Sequence, residues 1–300
     1  MDSQSAAPQL SPDPSRSQQT EVLPRLLALS VHWDDCSVAV GTRDEVTSEV
    51  WSKQPERTAE QAGSPNAASF ASRDALLLLD RLLVRTNTTL SAIDRLCFAR
   101  GPGAFTSLRV AAGLIQGLAL ATSIPVVGIC SLAAMVAQDP AWGNADPRSP
   151  PWLQLSAVDA RMGECYFGIH ECRAGHHPIA LIGPLVGSPA DAVAVFNEAL
   201  TQRVSQQAAT RLAPAGNAFT LLPELSAWSI EHGFDPHEAA ARSPTAAAVL
   251  AVAASTGAPA AGPARAAVPV YIRDKIALDV SEQRAGAAAR KLAAAGKSAA

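Results

Sequence analysis

The sequence predicts an α/β protein with two domains, each of which opens with strands joined by a hairpin. Three observations support this prediction. In the first half, short apolar runs separated by turn residues precede alternating helical and strand patterns. A strand–turn–strand pattern returns shortly after residue 150. Finally, 48% of the 300 residues are hydrophobic, which is enough to bury a large core.

The first half begins with three short strands that we expect to pair in antiparallel fashion. They are separated by polar turn residues and span about 26–31, 36–40 and 46–51. The pattern then alternates through a helix at 72–84, a strand at 95–99, a helix at 106–121 and a strand at 126–130. This order is typical of an RNase-H-like, actin-type domain, in which helices cover a mixed sheet.

The second half repeats the opening hairpin and then shows weaker patterns. The hairpin strands lie at 153–157 and 164–170. Next come a strand at 179–186, a helix at 191–200, an Ala-rich helix starting at Ser243-Pro244, and a final strand at 268–272. In the Ala-rich helix we expect proline at the first helical position.

These patterns divide the chain into two lobes with biased ends. The N-terminal lobe is expected at 23–138, and the smaller C-terminal lobe at 150–276. Residues 1–22 are rich in Ser, Pro and Gln and predict a disordered leader. Residues 277–300 predict an Ala- and Lys-rich tail.

Charge and cysteine content argue against several classes of function. The net charge is −3, and no basic run before the last twenty residues could follow a nucleic-acid backbone. The five cysteines form no C-x-x-C pair and the six histidines no H-x-x-x-H pair, so we predict no metal site. The apolar window at 110–129 contains Gly, Gln, Ser and Pro, which favours a helix and a strand over a membrane span.

A glycine turn, Gly101-Pro102-Gly103, separates a predicted strand from a predicted helix. Gly101, Gly103 and Thr106 are the candidate cofactor contacts, because free N–H groups at a helix N-terminus favour a phosphate. Thr106 or Ser107 is the expected N-cap. The segment matches neither G-x-x-x-x-G-K-[ST] nor G-x-G-x-x-G, so we favour a tight turn without nucleotide chemistry and expect no cofactor.

Two helices carry more apolar surface than one core requires. In the helix at 106–121, one stripe contains Leu108, Ala112, Ile115 and Ala119, and a second consists largely of small residues. The helix at 72–84 contains four consecutive leucines. A second apolar face predicts a protein interface between helices; a core covered by the second domain is the alternative. The predicted partner-binding residues are Leu76, Leu79, Leu83, Val110, Gly113, Leu114, Gly117 and Ala121.

The polar residues of the second hairpin are the remaining candidates for chemistry. Asp159, Arg161 and Glu164 cluster there, and we interpret them as a polar turn. We expect Asp159 to bind the backbone two residues on, and Arg161 to pair with Glu164. No base is positioned beside Thr106 or Ser107, and the chain contains no G-x-S-x-G motif. We therefore predict no catalytic residue.

Three separated motifs resemble those of the TsaB (YeaZ) family. The run at 93–110 reads IDRLCFARGPGAFTSLRV and is similar to the family's core motif. The run at 158–166, VDARMGECY, resembles its Asp-Ala-Arg-x-Gly-Glu-Val-Tyr hairpin, and PVYIR at 269–273 resembles its closing Pro-x-Tyr-Leu-Arg. The resemblance extends over about 26–276 and implies a two-lobed actin-like (ASKHA) fold.

The resemblance also implies a function and a set of partners. It implies a non-catalytic subunit that binds and activates TsaD through N-lobe helices, for modification of the tRNA adenosine next to the anticodon. It implies binding of TsaE to that pair, only indirect contact with tRNA, a possible homodimer without the partner, and a cytoplasmic location without membrane contact. ATP and metal are expected on TsaD and TsaE rather than on this chain.

Two positions depart from the family pattern. Ser30 stands where the family usually has an Asp, so a carboxylate of the phosphate-handling loop is missing. Ser107 stands where the family commonly has Gly. The first departure argues against nucleotide chemistry. An independent ATP-dependent kinase or hydrolase of the same fold remains the alternative function.

Overall fold

Two mixed β-sheets organise the fold, one in each half of the chain. The computed structural model describes residues 23–32, 35–52, 67–144, 149–205 and 211–273. The predicted leader at 1–22 and the tail at 277–300 lie outside these residues. Within them, strands and helices alternate in the predicted order, which confirms the α/β class and the actin-like arrangement.

The N-terminal sheet has five strands in the order β3-β2-β1-β4-β5. Strands β1 (Leu26–His32), β2 (Asp35–Gly41) and β3 (Val46–Ser52) form an antiparallel meander. Strand β4 (Arg95–Gly101) pairs parallel to β1, and β5 (Val126–Cys130) pairs parallel to β4. The central strand β1 is buried along almost its whole length, which explains why its sequence shows no polar alternation.

Helices α1 (Ala67–Arg85) and α2 (Phe105–Thr122) cover one face of this sheet. Their inner sides join the strands in a core that contains Leu82, Phe98 and Ile115, all fully buried. By length and composition α2 is also apolar enough to cross a membrane. In the described part of the chain it packs its inner side on the sheet instead.

The C-terminal sheet has four strands in the order β8-β7-β6-β9. Its strands are β6 (Trp152–Arg161), β7 (Glu164–Cys172), β8 (Ile179–Gly187) and β9 (Leu212–Ala215). The predicted hairpin is confirmed as β6 and β7. Strand β9 was not predicted, because four residues containing a proline are too few to show a period.

The next helices join the lobes or accompany the C-terminal sheet. Two of them, α3 (Ser131–Ala134) and α4 (Pro140–Asn144), connect the lobes. The C-terminal sheet is accompanied by α5 (Pro189–Ser205), α6 (Ala218–Leu221), α7 (Pro223–Glu231) and α8 (Pro236–Ala241). Of these four, only α5 was predicted, since the other three are shorter than three turns and lack a clear apolar period.

The Ala-rich helix α9 (Ala246–Ala253) begins later than predicted. The Thr245 hydroxyl accepts a hydrogen bond from the Ala248 N–H at 3.2 Å and caps the helix. Because a threonine side chain satisfies an N–H group at the helix start, the boundary falls there and Pro244 stays outside. The predicted start at Ser243-Pro244 is therefore wrong.

The predicted final strand at 268–272 is also wrong. Residues 268–273, which we call the C-terminal segment, are assigned to no sheet. One hydrogen bond, from the Val270 N–H to the Arg100 carbonyl at 2.7 Å, joins the segment to the end of β4. Pro269 has no N–H to donate, so a continuous ladder cannot form across it.

Helix α9 lies between the two lobes. It packs on β1, β2 and β4 and so covers the face of the N-terminal sheet opposite α1 and α2. A second core forms there from residues of both lobes, including Leu26, Ile129, Trp152 and Leu250. The second lobe therefore covers the face of the N-terminal sheet that α1 and α2 leave open.

Candidate functional site

Helices α1 and α2 present an apolar surface that no described residue covers. On α1, Leu76 is 48% and Leu77 is 46% exposed, and Leu120 on α2 is 72% exposed. Because the second lobe packs on the opposite face of the sheet, it does not bury them, and the alternative of a deeper core is wrong for the described residues. We call this surface the α1–α2 face and define it by Leu76, Leu77, Gly113, Gly117, Leu120 and Ala121.

The two stripes predicted on α2 point to different environments. The residues of the first stripe, Leu108, Ala112, Ile115 and Ala119, are all buried. In the second stripe, Gly113, Gly117 and Ala121 are exposed, whereas Val110 and Leu114 are half-buried. The small residues of this helix therefore form an open row along the surface.

The predicted residues of α1 are less uniformly placed. Leu76 is exposed and Leu83 is half-buried, but Leu79 is only 8% exposed and belongs to the core. The neighbouring Leu77, which was not among the predicted residues, is exposed. A partner on this face would therefore meet Leu77 rather than Leu79.

The two exposed glycines of α2 have no packing role inside the described chain. A Cβ atom built on Gly113 or on Gly117 would meet no heavy atom within 4 Å. A glycine in a helix interior costs about 1 kcal/mol relative to alanine. No described contact offsets that cost at either position.

The crevice between α1 and α2 is too small for a ligand. Its volume is about 10 Å³, and it is lined by Leu76, Leu79, Leu114 and Leu118 above strand residues of the core. That volume corresponds to a single water molecule at most. The surface therefore suits protein packing better than binding of a small molecule.

The glycine turn lies beside a cavity of about 280 Å³. Gly101 has φ of +114°, and a Cβ there would lie 2.7 Å from the Val270 carbonyl oxygen, so only glycine fits. Both Gly101 and Gly103 are buried, whereas Thr106 is exposed. The cavity is lined by both lobes and the C-terminal segment, including Phe105, Thr106, Arg161, Met162, Tyr271 and Arg273.

The start of α2 does not use the predicted cap. The helix begins at Phe105, and Ala104 occupies the N-cap position without a side-chain hydrogen bond. Ser107 is buried inside the first turn, and Thr106 is also helical. The expectation that Thr106 or Ser107 caps the helix is therefore wrong, because the observed N-cap lies two residues before Thr106.

The hairpin between β6 and β7 is a polar turn, as predicted, but its ion pairs are not the predicted ones. The Asp159 carboxylate accepts the Arg161 N–H at 3.0 Å, which confirms the local turn. Arg161 pairs with Asp159 at 3.4 Å rather than with Glu164. Glu164 instead pairs with Arg273, which the C-terminal segment carries to the hairpin. This partner is distant in sequence, so the local pattern could not reveal it.

A second cavity, of about 370 Å³, forms a cleft between the two lobes. His32, Asp35, Asp159, Asn217 and Arg242 contribute to its walls. Burial lowers the pKa of His32 to about 4, so this imidazole is neutral at pH 7. The cleft thus contains carboxylates from both lobes, Asp35 and Asp159, and guanidinium groups from the second lobe.

The residues of the cleft do not fit the metal that the family resemblance assigns to TsaD. Among the described residues, no group of three His, Cys, Asp or Glu side chains is close enough to hold a metal ion. At the position of the family's Asp, the buried Ser30 hydroxyl donates to the Pro244 carbonyl at 2.5 Å.

Comparisons with known proteins agree with this architecture. The family model described as "TsaD: tRNA N6-adenosine threonylcarbamoyltransferase" matches residues 46–278. TsaB, the tRNA threonylcarbamoyladenosine biosynthesis protein, of Haemophilus influenzae is 34% identical over 142 residues, which are 47% of this chain and 52% of that protein. The Escherichia coli protein of the same name is 30% identical over 147 residues, 49% of this chain and 55% of that protein. The matched part therefore spans about half the length of these curated relatives.

Among solved structures, a Pseudomonas aeruginosa protein described as similar to peptidase YEAZ superposes with a TM-score of 0.58 at 26% identity. The match covers 84% of this chain and all of that chain. The fold, the three motifs and the TsaB relatives agree with one another. The chain thus belongs to the TsaD family and, within that family, is similar to TsaB (YeaZ) proteins.

Proposed function

We propose that this chain is a non-catalytic subunit of the machinery that makes N6-threonylcarbamoyladenosine in tRNA. In this role it binds and activates a TsaD transferase through the α1–α2 face. The observation that carries the proposal is the pair of exposed glycines, Gly113 and Gly117, set among exposed leucines. The names of the curated relatives support the pathway.

The two exposed glycines of α2 leave room for another polypeptide beside the helix. Since neither glycine is required by packing within the described chain, the row allows another backbone to approach α2 closely. Exposed leucines beside such a row supply the apolar area that a stable protein interface needs. A helix of the partner, packed along α2, would bury both features at once.

Several features favour a silent subunit over an enzyme. Ser30 is bonded to a backbone carbonyl, so β1 supplies no carboxylate to the cleft. We therefore expect ATP and metal on TsaD and TsaE, with TsaE binding the assembled pair. A net charge of −3 favours indirect contact with tRNA through the complex. We expect the complex in the cytoplasm, where the modified tRNA is used.

Calorimetric binding of the full chain to TsaD from the same organism tests the interface. Gly117→Arg should abolish measurable binding, because the long side chain blocks close approach. Gly143→Arg is a matched control, since Gly143 is also helical and exposed and a Cβ there also meets nothing within 4 Å. Equal binding by Gly117→Arg and wild type would refute the interface, and absence of binding by wild type would refute the partnership.

Reconstitution tests the role in modification. TsaD, TsaE, a threonylcarbamoyl donor system and tRNA should form the modified adenosine only when this chain is added, as measured by mass spectrometry of nucleosides. Formation at an unchanged rate without the chain would refute an activating role.

The alternative of an independent ATP-dependent kinase or hydrolase is tested separately. It predicts that the isolated chain binds ATP with magnesium at the Gly101–Thr106 turn. Titration calorimetry measures this binding directly, and absence of nucleotide binding would refute the alternative. A homodimer through the same face is a further option. Sedimentation with and without TsaD distinguishes it, because one surface cannot serve both partners at the same time.

A further inference from the structure

Arg109 is the one charged side chain of α2, and it lies on the exposed side of the helix. Thr106, Gly113 and Gly117 are exposed as well, at spacings of three or four residues from their neighbours in this row. Residues at these spacings share one side of a helix. Arg109 therefore continues the glycine row of the α1–α2 face towards the glycine turn.

The Arg109 guanidinium is held in place by two aromatic residues. Its Cζ atom lies 3.8 Å from the centroid of the Phe105 ring. Its Nε donates a hydrogen bond to the Tyr271 hydroxyl at 3.2 Å, and the two rings lie 5.0 Å apart. Stacking and hydrogen bonding together restrict a side chain that would otherwise sample many rotamers.

This ordered cation lacks a carboxylate partner among the described residues. Arg161, Arg242 and Arg273 each form an ion pair with Asp or Glu, but Arg109 forms none there. Because the bond to Tyr271 uses Nε, the two terminal amino groups remain for another acceptor. Their planar geometry matches a carboxylate.

We propose that Arg109 is the charged anchor of the α1–α2 face and pairs with an Asp or Glu carboxylate of the docked protein, with Tyr271 positioning it. This inference rests on the proposed function, since it needs a partner on that face. A docked protein that covered the glycine row would also remove water from the Arg109 guanidinium. An opposite charge must then replace that water to avoid a desolvation cost.

An acidic protein residue fits better than a tRNA phosphate. A surface that follows a nucleic-acid backbone carries several cations, whereas α2 carries this one and is otherwise apolar or small. Glycine rows favour approach of a polypeptide backbone. Binding to tRNA is therefore an outcome that would count against the inference.

The test compares variants of the full chain in binding to TsaD. We expect Arg109→Glu to weaken binding by about 30-fold or more, in line with the loss of a buried charge pair. Tyr271→Phe keeps the ring but removes the hydroxyl, and should give a smaller loss. Arg43→Glu is the charge-matched control, because Arg43 is exposed on the β2–β3 turn, away from α2.

Salt dependence separates a charge contact from a structural role. Wild-type affinity should fall between 50 mM and 500 mM NaCl more steeply than that of Arg109→Gln, a neutral variant that also serves if Arg109→Glu does not fold. Equal affinity and equal salt dependence of Arg109→Gln and wild type would overturn the inference while leaving the partnership intact. Binding of tRNA by the chain alone, lost on Arg109→Gln, would also overturn it. Failure of wild type to bind TsaD would refute the proposed function itself.

Discussion

Replacing Gly113 and Gly117 of α2 by alanine tests whether these glycines serve a surface rather than the fold. A methyl group at either position would meet no described heavy atom within 4 Å, so neither substitution creates a clash. Alanine is favoured over glycine in a helix interior by about 1 kcal/mol per site. The double variant should therefore be about 2 kcal/mol more stable than wild type, which corresponds to a rise in Tm of about 4–8 °C.

The same double variant should bind its partner less well. Two methyl groups inserted between closely packed backbones cost about 1–3 kcal/mol of binding free energy, which is roughly a 5- to 150-fold loss of affinity. Chemical denaturation measures the first quantity and calorimetry with TsaD the second. A double variant that is less stable than wild type would refute the conclusion that neither glycine is needed for packing within the chain. A variant that is more stable and binds equally well would refute close helix packing at these glycines.

Three further predictions concern buried polar groups. Asp139→Ala should destabilise the chain by about 3–5 kcal/mol in urea, because Asp139 is buried and its carboxylate pairs with Arg242 at 3.0 Å. Ser30→Ala should lower the free energy of unfolding by about 1 kcal/mol, because it removes the hydrogen bond to the Pro244 carbonyl. Ser30→Asp should lower it further, because a carboxylate would face that carbonyl oxygen. Between pH 7.5 and 5, wild type should lose about 2 kcal/mol more stability than His170→Leu, as measured from urea midpoints.

The buried imidazole of His170 makes the protein less stable at low pH. Burial, assisted by His177, lowers the pKa of His170 from 6.5 to about 4. Below pH 6.5 the unfolded chain binds a proton that the folded chain does not. The free energy of unfolding therefore decreases as the pH is lowered, until about pH 4. Identical pH dependence in wild type and His170→Leu would contradict this assignment.

The sequence predicted the first lobe well because its signals are local and strong. Each strand of the N-terminal sheet and both large helices were predicted within a few residues of their observed bounds, apart from the start of α1 at Ala67. The second lobe was less predictable. Strand β9 and helices α6–α8 are short, and their positions depend on contacts with residues distant in the chain.

The candidate surface was likewise predicted only in part. The spacing of the residues along the helix separated the two stripes of α2, since one apolar stripe is enough for the sheet and a second needs another explanation. It could not place Leu79 in the core or Leu77 on the surface, because four consecutive leucines give no preferred side. It also could not show that the second lobe packs on the opposite face of the sheet.

By itself, the sequence determined the α/β class, the two lobes, the family and the helix with two apolar stripes. These properties follow from the period of apolar residues and from motifs of adjacent residues. Only the tertiary structure decided that Glu164 pairs with Arg273, that Ser30 is bonded to Pro244, and that Arg109 is held by Tyr271. Each of these contacts joins residues more than 100 positions apart, and a pattern along the chain carries no information about which distant groups the folded backbone brings together.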